Sequence, residues 1–355
     1  MKWLETDPDS GAEVYQLSDD PRPTENIYGE QPYSDPSGTR LALHHYPTET
    51  QEGALVILDL NDDSLHPVTA GKTRFPAFHA WGRYLYYQEL RGETVVLHRC
   101  DYLTLAKEEV LALPDGLGRW SYGTVSQDLR WYVVSLHRLD GQPGSQVLAF
   151  DLVKGGYRVL LNRQDYLFKH EQFSRDGRNR VMIQANALPD VKQVLLGELN
   201  PEAEGVIWLP ADRPHTPRPT GHEAWIGETS RILFSTANDP DSQGNVWTAG
   251  LDDGKATPAS EPTTVRAAHV SVSRCGQYWV GDAVKETGEP LYIGSIAKRR
   301  QQRAAFSRTK TDNKQWSHTH PYLTADNGWL IYTSTRAGLP QVHGAKLRAG
   351  WLATL

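Results

Sequence analysis

The stretch His170-Glu171-Gln172-Phe173-Ser174-Arg175-Asp176-Gly177-Arg178-Asn179-Arg180-Val181-Met182-Ile183-Gln184 decides the fold, because it is one copy of a pattern that recurs along the whole chain. Each copy has a short start, a turn rich in Ser, Asp and Gly, and then a run of β-forming residues. The other copies begin at Gln31, Phe75, Tyr122, His222, His269 and His320, at intervals of 44 to 52 residues. In four of them a glycine falls seven residues after the start, at Gly38, Gly82, Gly177 and Gly276. This predicts a tight turn with positive φ, which glycine adopts without steric cost.

Each turn separates two short apolar runs, and a third follows: Ala54–Leu60, Thr94–Cys100, Gln146–Leu152, Gln193–Leu199, Asn245–Leu251, Leu291–Ile296 and Gln341–Leu347. A weaker fourth run closes most copies. Four short strands per repeat of this length is the pattern of a propeller blade. No stretch keeps a helical period over helical length. The sequence therefore predicts an all-β chain, residues 1–355 forming a single seven-bladed β-propeller domain with four antiparallel strands per blade. The last copy ends soon after its third run, while Glu13–Leu17 precedes the first copy. That segment is expected to complete the last blade, which would remove the open sheet edges of the array.

Composition limits the partners. The chain has 355 residues, 39% of them hydrophobic, and a net charge of -6. No global basic field is available to recruit nucleic acid, and the run from Lys298 to Lys310 reads as a solvated loop or edge strand. Cys100 and Cys275 offer no disulfide framework. The N-terminal residues contain no apolar core of a signal peptide, and no apolar run approaches a membrane span. The expectation is a cytoplasmic protein without nucleic-acid or membrane partners. Oligomeric state has no sequence signature here.

The first position of each copy is expected to open the innermost strand of its blade, so these positions should encircle one end of the axis. Four consecutive copies place histidine there: His170, His222, His269 and His320. With 13 histidines in the chain, chance rarely fills four equivalent positions in a row. His318 and His320 are two apart, so an extended backbone turns both imidazoles to one side. With His269 from the preceding copy they offer three neutral nitrogens, and Gln315 could add an amide oxygen. Such a set suits a divalent transition metal.

Here the sequence resembles the oligogalacturonate lyases, polysaccharide lyase family 22. The residues that carry the resemblance are Thr6–Leu17, His170-Glu171-Gln172-Phe173-Ser174, Gly221-His222-Glu223-Ala224-Trp225, His269, and Gln315 with His318 and His320. The resemblance implies a seven-bladed propeller that cleaves uronic-acid-containing oligosaccharides by β-elimination, giving 4,5-unsaturated uronides. It implies that His269, Gln315, His318 and His320 hold a divalent ion, manganese first, with zinc or another transition metal as alternatives. It makes His222 the general base and places His170 and Gln172 on the substrate. The family's catalytic arginine has Lys192 as its best counterpart, a charge without the planar fork of arginine, so the uronide itself stays open between galacturonate and glucuronate. The competing reading is a non-catalytic propeller that binds a sugar or a protein. A hydrolase lid would need an attached hydrolase domain, and no G-x-S-x-G element is present.

Overall fold

The computed structural model describes residues 1–46, 53–71, 73–115, 119–137, 144–187, 191–199, 209–210, 219–236, 244–250, 256–263, 265–283, 286–310 and 317–355. It is an all-β structure of antiparallel sheets arranged around an axis. The first strands of the sheets are Thr24–Glu25, Thr73–Ala77, Arg119–Val125, Tyr166–Phe173, Pro219–Trp225, Val270–Val272 and Tyr322–Leu323, and they form the inner edges. The later strands of each sheet step outward in chain order.

The expectation of seven four-stranded blades is corrected. Among the described residues, six sheets have four strands, and the remaining sheet, which joins the two ends of the chain, has five. Glu13–Gln16 pairs antiparallel with Gln341–Lys346, Glu13 opposite Lys346 and Gln16 opposite His343, as the closure argument requires. The additional strand is Lys2–Thr6, which folds back on Glu13–Gln16. Its cause is local. The Asp7 carboxylate accepts hydrogen bonds from the Asp9 and Ser10 amides, making a tight turn. Glu5 then pairs with Arg308 and Arg336 on neighbouring structure, at 2.8 and 3.0 Å.

The strands read as continuous buried runs because neighbouring sheets cover both faces. Val133, Val147 and Ala149 pack against Phe168, Phe173 and Ile183 of the next sheet. Met182 and Val194 pack against Trp225, Ile232 and Phe234. Similar clusters join the remaining pairs, ending where Leu41 and Leu43 meet Tyr322 and Ile331. Each such side chain removed from water contributes roughly 1.5–3 kcal/mol, so the circle is held by sheet-on-sheet burial. Three of the predicted turn glycines, Gly38, Gly177 and Gly276, have φ between 72 and 80°. Gly82 does not need positive φ; a Cβ there would lie 2.1 Å from His79 Nδ1, so its smallness is what the turn uses. Among the described residues no helix is long and apolar enough to cross a membrane.

Candidate metal centre and channel

The inner strands do not simply begin at the first positions of the repeat. Four of them run past that position and break register at it. The irregularities lie between Arg74 and Ala77, Trp120 and Gly123, Lys169 and Gln172, and Pro219 and Glu223. These intervals contain Phe75, Tyr122, His170 and His222. An extra residue in a ladder is left unpaired and its side chain is re-aimed; at His170 and His222 the rings turn toward one another and toward His269. His170 and His320 also have φ of 58 and 42°. For a non-glycine residue this conformation costs on the order of 1–3 kcal/mol and persists where surrounding contacts impose it.

The histidines converge as their register implied. Ring centroids are 6.5 Å apart for His170 and His222, 4.6 Å for His222 and His269, and 4.6 Å for His269 and His320. His318 stands 5.0 Å from His269. One nitrogen from each of His269, His318 and His320 lies within 4.8 Å of the others, so the three can hold one ion. Gln315 lies outside the described residues.

The residue behind His269 supports that use. Its Nδ1–H donates to Asp282 Oδ2 at 2.7 Å and its backbone N–H donates to Asp282 Oδ1 at 2.8 Å. The Thr319 hydroxyl donates to the same carboxylate. A carboxylate on Nδ1 fixes the tautomer and leaves Nε2 as the ligand atom, the usual arrangement behind a metal-bound histidine. Burial pushes the His269 imidazole toward neutrality, but the Asp282 charge and hydrogen bond outweigh this and raise its pKa. His320 is driven well below the ordinary histidine range, first by burial and then by His269 and His318 beside it. It is therefore neutral and ready to ligate.

His222 adjoins this triad without belonging to it. Its side chain is 21% exposed, against 11% for His170 and 8% for His269, so of these three it is the most accessible to an incoming molecule. Its Nδ1 is hydrogen-bonded to Glu30 Oε1. Glu30 is completely buried, which pushes its carboxyl up to about 8. His170 Nε2 meets the Tyr28 hydroxyl at 3.1 Å, and its Nδ1 faces Glu223 at 3.8 Å.

Glu30 and Tyr28 belong to a segment that the repeat did not reveal. The inner edge of the first sheet starts at Thr24–Glu25 and resumes with a single bridge at Ser34, opposite Leu41. Residues 26–33 leave the sheet and cross the channel, all of them buried. Asn26 donates to the His320 carbonyl at 2.7 Å, and Gln31 donates to the Glu171 carbonyl at 3.0 Å. Gln31 thus lies on the channel-crossing segment instead of opening an inner strand, because the first strand precedes it. The available signal was the polar and aromatic chain from Thr24 to Glu30, which precedes the first copy and matches no part of the repeat. Asp282 carried no signal beyond its place at the end of a strand.

Two candidates remain, Gln172 and Lys192. Gln172 is buried, and its amide donates to the Glu223 carbonyl at 2.8 Å while its own carbonyl accepts from Trp225 Nε1 at 2.9 Å. It ties two inner strands together. The Lys192 backbone lies in Val191–Glu198, opposite Asn186, while its side chain is outside the described set.

No family model matches the chain, and no curated protein matches it. Solved structures do. An oligogalacturonate lyase in complex with manganese superposes with a TM-score of 0.78 at 18% identity, covering 99% of this chain and 98% of that one. The oligogalacturonate lyase of Vibrio parahaemolyticus gives 0.76 at 16%, with the same coverage of 99% and 98%. A prolyl endopeptidase matches at 0.58 and 14%, over 81% of this chain and 42% of that one. At such identities the likeness establishes the propeller fold.

Proposed function

We propose that this protein is a metal-dependent lyase that cleaves uronic-acid-containing oligosaccharides by β-elimination. The observation that carries the reading is a three-histidine cluster, backed by Asp282, with a fourth and more exposed histidine beside it. The two neighbours matched over nearly their whole length are oligogalacturonate lyases, one of them in complex with manganese, which supports the same reading. His269, His318 and His320 would hold the ion, manganese or another divalent transition metal, with Gln315 as a fourth ligand. When bound, it supplies positive charge that offsets the substrate carboxylate and the negative charge developing beside it.

The chain's own groups perform the rest. The C5 proton of a uronate is weakly acidic, because the carboxylate next to it is already negative. His222, with its proton on Nδ1, presents the Nε2 lone pair and takes the C5 proton. The C5–H electron pair becomes the C4–C5 double bond, and the bond from C4 to the leaving oxygen breaks. That oxygen gains a proton from His170 or from water. Lys192 would lend positive charge toward the carboxylate, and Gln172 would keep the His170 strand in place against its neighbour. The substrate is then a short uronic-acid oligosaccharide.

The test is to incubate the metal-loaded protein with digalacturonate, trigalacturonate and glucuronate-containing oligosaccharides and follow the ultraviolet absorbance of unsaturated product. Product should form from at least one substrate, stop with chelator and return with added manganese. General-base catalysis is worth roughly 100- to 10,000-fold. His222→Ala should therefore lose at least about 100-fold in kcat while keeping its metal content. Binding of a uronide by metal-loaded protein without any unsaturated product would replace the lyase reading with that of a sugar-binding propeller.

A further inference from the structure

We propose that Glu30 is a positioning residue for His222. It holds the imidazole with the proton on Nδ1 and the Nε2 lone pair directed toward the exposed side of the channel. This rests on the reading of His222 as the base. An imidazole can act as a base only through the nitrogen that lacks a proton, and the partner of the other nitrogen decides which one that is. His222 Nδ1 is bonded to Glu30 Oε1. Glu30 Oε2 is buried and, among the described residues, has no hydrogen-bond partner. The arrangement uses Glu30 as the carboxylate, which can only accept and so leaves the proton on His222 Nδ1; burial opposes that state, and the charges of His269 and Lys169 beside it favour it.

The way Glu30 reaches His222 argues against an incidental contact. The two residues are 192 positions apart, and Glu30 arrives on the segment that departs from the repeat. That segment is fastened on both sides. Asn26 holds the His320 carbonyl and exchanges hydrogen bonds with Thr333. Gln31 holds the Glu171 carbonyl, and the Tyr33 hydroxyl donates to Gln31 Oε1. Gly29 passes so close to His320 that a Cβ would fall 2.6 Å from its carbonyl carbon. Between these anchors the segment presents Tyr28 to His170 and Glu30 to His222. A fully buried carboxylate is costly to maintain, and here it is directed at the more exposed edge of the histidine cluster instead of into the core.

The test uses the full chain in two measurements. In the first, Glu30→Gln and Glu30→Ala are assayed on digalacturonate with manganese. Loss of an orienting partner typically lowers activity by about 10- to 100-fold. That loss is expected in kcat, with KM within about twofold and manganese content unchanged. Glu30→Gln keeps the shape of the side chain and covers the case in which Glu30→Ala fails to fold. In the second, long-range proton–nitrogen spectra of histidine-labelled protein identify the His222 tautomer, assigned by its disappearance in His222→Ala. The Nδ1–H form should dominate in the parent chain and give way in Glu30→Ala. An unchanged kcat, a loss confined to KM, or a His222 tautomer indifferent to Glu30 would each overturn the proposal. If the parent chain cleaves no uronide, the lyase reading fails, and the tautomer measurement decides the pair on its own.

Discussion

At the scale of single residues, the candidate site separates into groups that face a ligand and groups that face those groups. Asp282 belongs to the second kind. It is wholly buried and binds both the Nδ1 and the backbone N–H of His269. Asp282→Asn would remove the charge while nearly keeping the volume. Manganese affinity, measured by calorimetry on metal-stripped protein, should fall by about 10- to 100-fold. His318→Ala with His320→Ala should abolish stoichiometric binding, since one imidazole remains of three. A single tightly bound ion per chain in that double variant, detected by elemental analysis, would move the site elsewhere. The clustered histidines were legible in the sequence because repetition placed them in register. Asp282 and Glu30 were not. They act from positions that the repeat does not mark, and a lone acid in a sequence does not reveal which distant imidazole it meets.

At the scale of elements, the repeat gave the strands but not the device that aims the side chains. Register breaks at His170 and His222 turn these residues inward, and such bulges leave no mark in the pattern of apolar residues. The first copy misled for a related reason. Its inner strand lies at Thr24–Glu25, before the copy begins, and the chain between it and Ser34 is spent on crossing the channel. This segment can be disturbed without substituting any histidine. Gly29 does not require positive φ, so the effect of a methyl group there is purely steric, with the His320 Cα, carbonyl carbon and oxygen all within 3.0 Å of the new Cβ. Gly29→Ala must therefore displace the backbone that carries Tyr28 and Glu30. The expected result is a kcat loss of the same order as Glu30→Ala, about 10- to 100-fold. Overpacking should also destabilise the chain by roughly 1–3 kcal/mol. Full activity together with unchanged stability would show that the segment yields freely and does not position the channel groups.

At the scale of the whole molecule, the circle is closed by non-covalent pairing of the two chain ends, and that seam carries a group that responds to acid. His343 lies on Gln341–Lys346, opposite Gln16 on one side and Tyr332 on the other. Its Nδ1–H donates to the Gln341 carbonyl at 2.9 Å, its ring stacks on Tyr332, and its buried Nε2 has no hydrogen-bond partner among the described residues. Burial, with Arg336 acting in the same direction and the Gln341 carbonyl against it, lowers its pKa to about 4. An unfolded histidine titrates near 6.5. The folded state therefore binds fewer protons than the unfolded state between these values, and stability must fall as the pH drops from about 6.5 to about 4, levelling off below. The displacement corresponds to at most about 3 kcal/mol for this residue. His79, lowered to about 4 mainly by burial, adds a loss of the same sign elsewhere in the circle. Glu171 runs the other way. Burial pushes its carboxyl up to about 8, so its contribution is complete below the unfolded value near 4.5 and is lost as the pH rises through 8. The total pH profile is thus a sum of opposing slopes, and the His343 part must be read as a difference. His343→Gln keeps a hydrogen-bonding side chain but cannot titrate. Its denaturant-derived stability between pH 4 and 6.5 should be flatter than that of the parent chain by up to about 3 kcal/mol, whatever its stability at neutral pH. Amide exchange should show the same loss at Gln16 and Val342, because a charged imidazole without a partner for its second proton weakens the ladder that joins the ends. Parallel pH profiles for the two proteins, with unaltered exchange at the seam, would show that His343 stays neutral for reasons unrelated to closure and would leave the other buried histidines lowered by desolvation, His45, His79 and His320, to account for the acid slope.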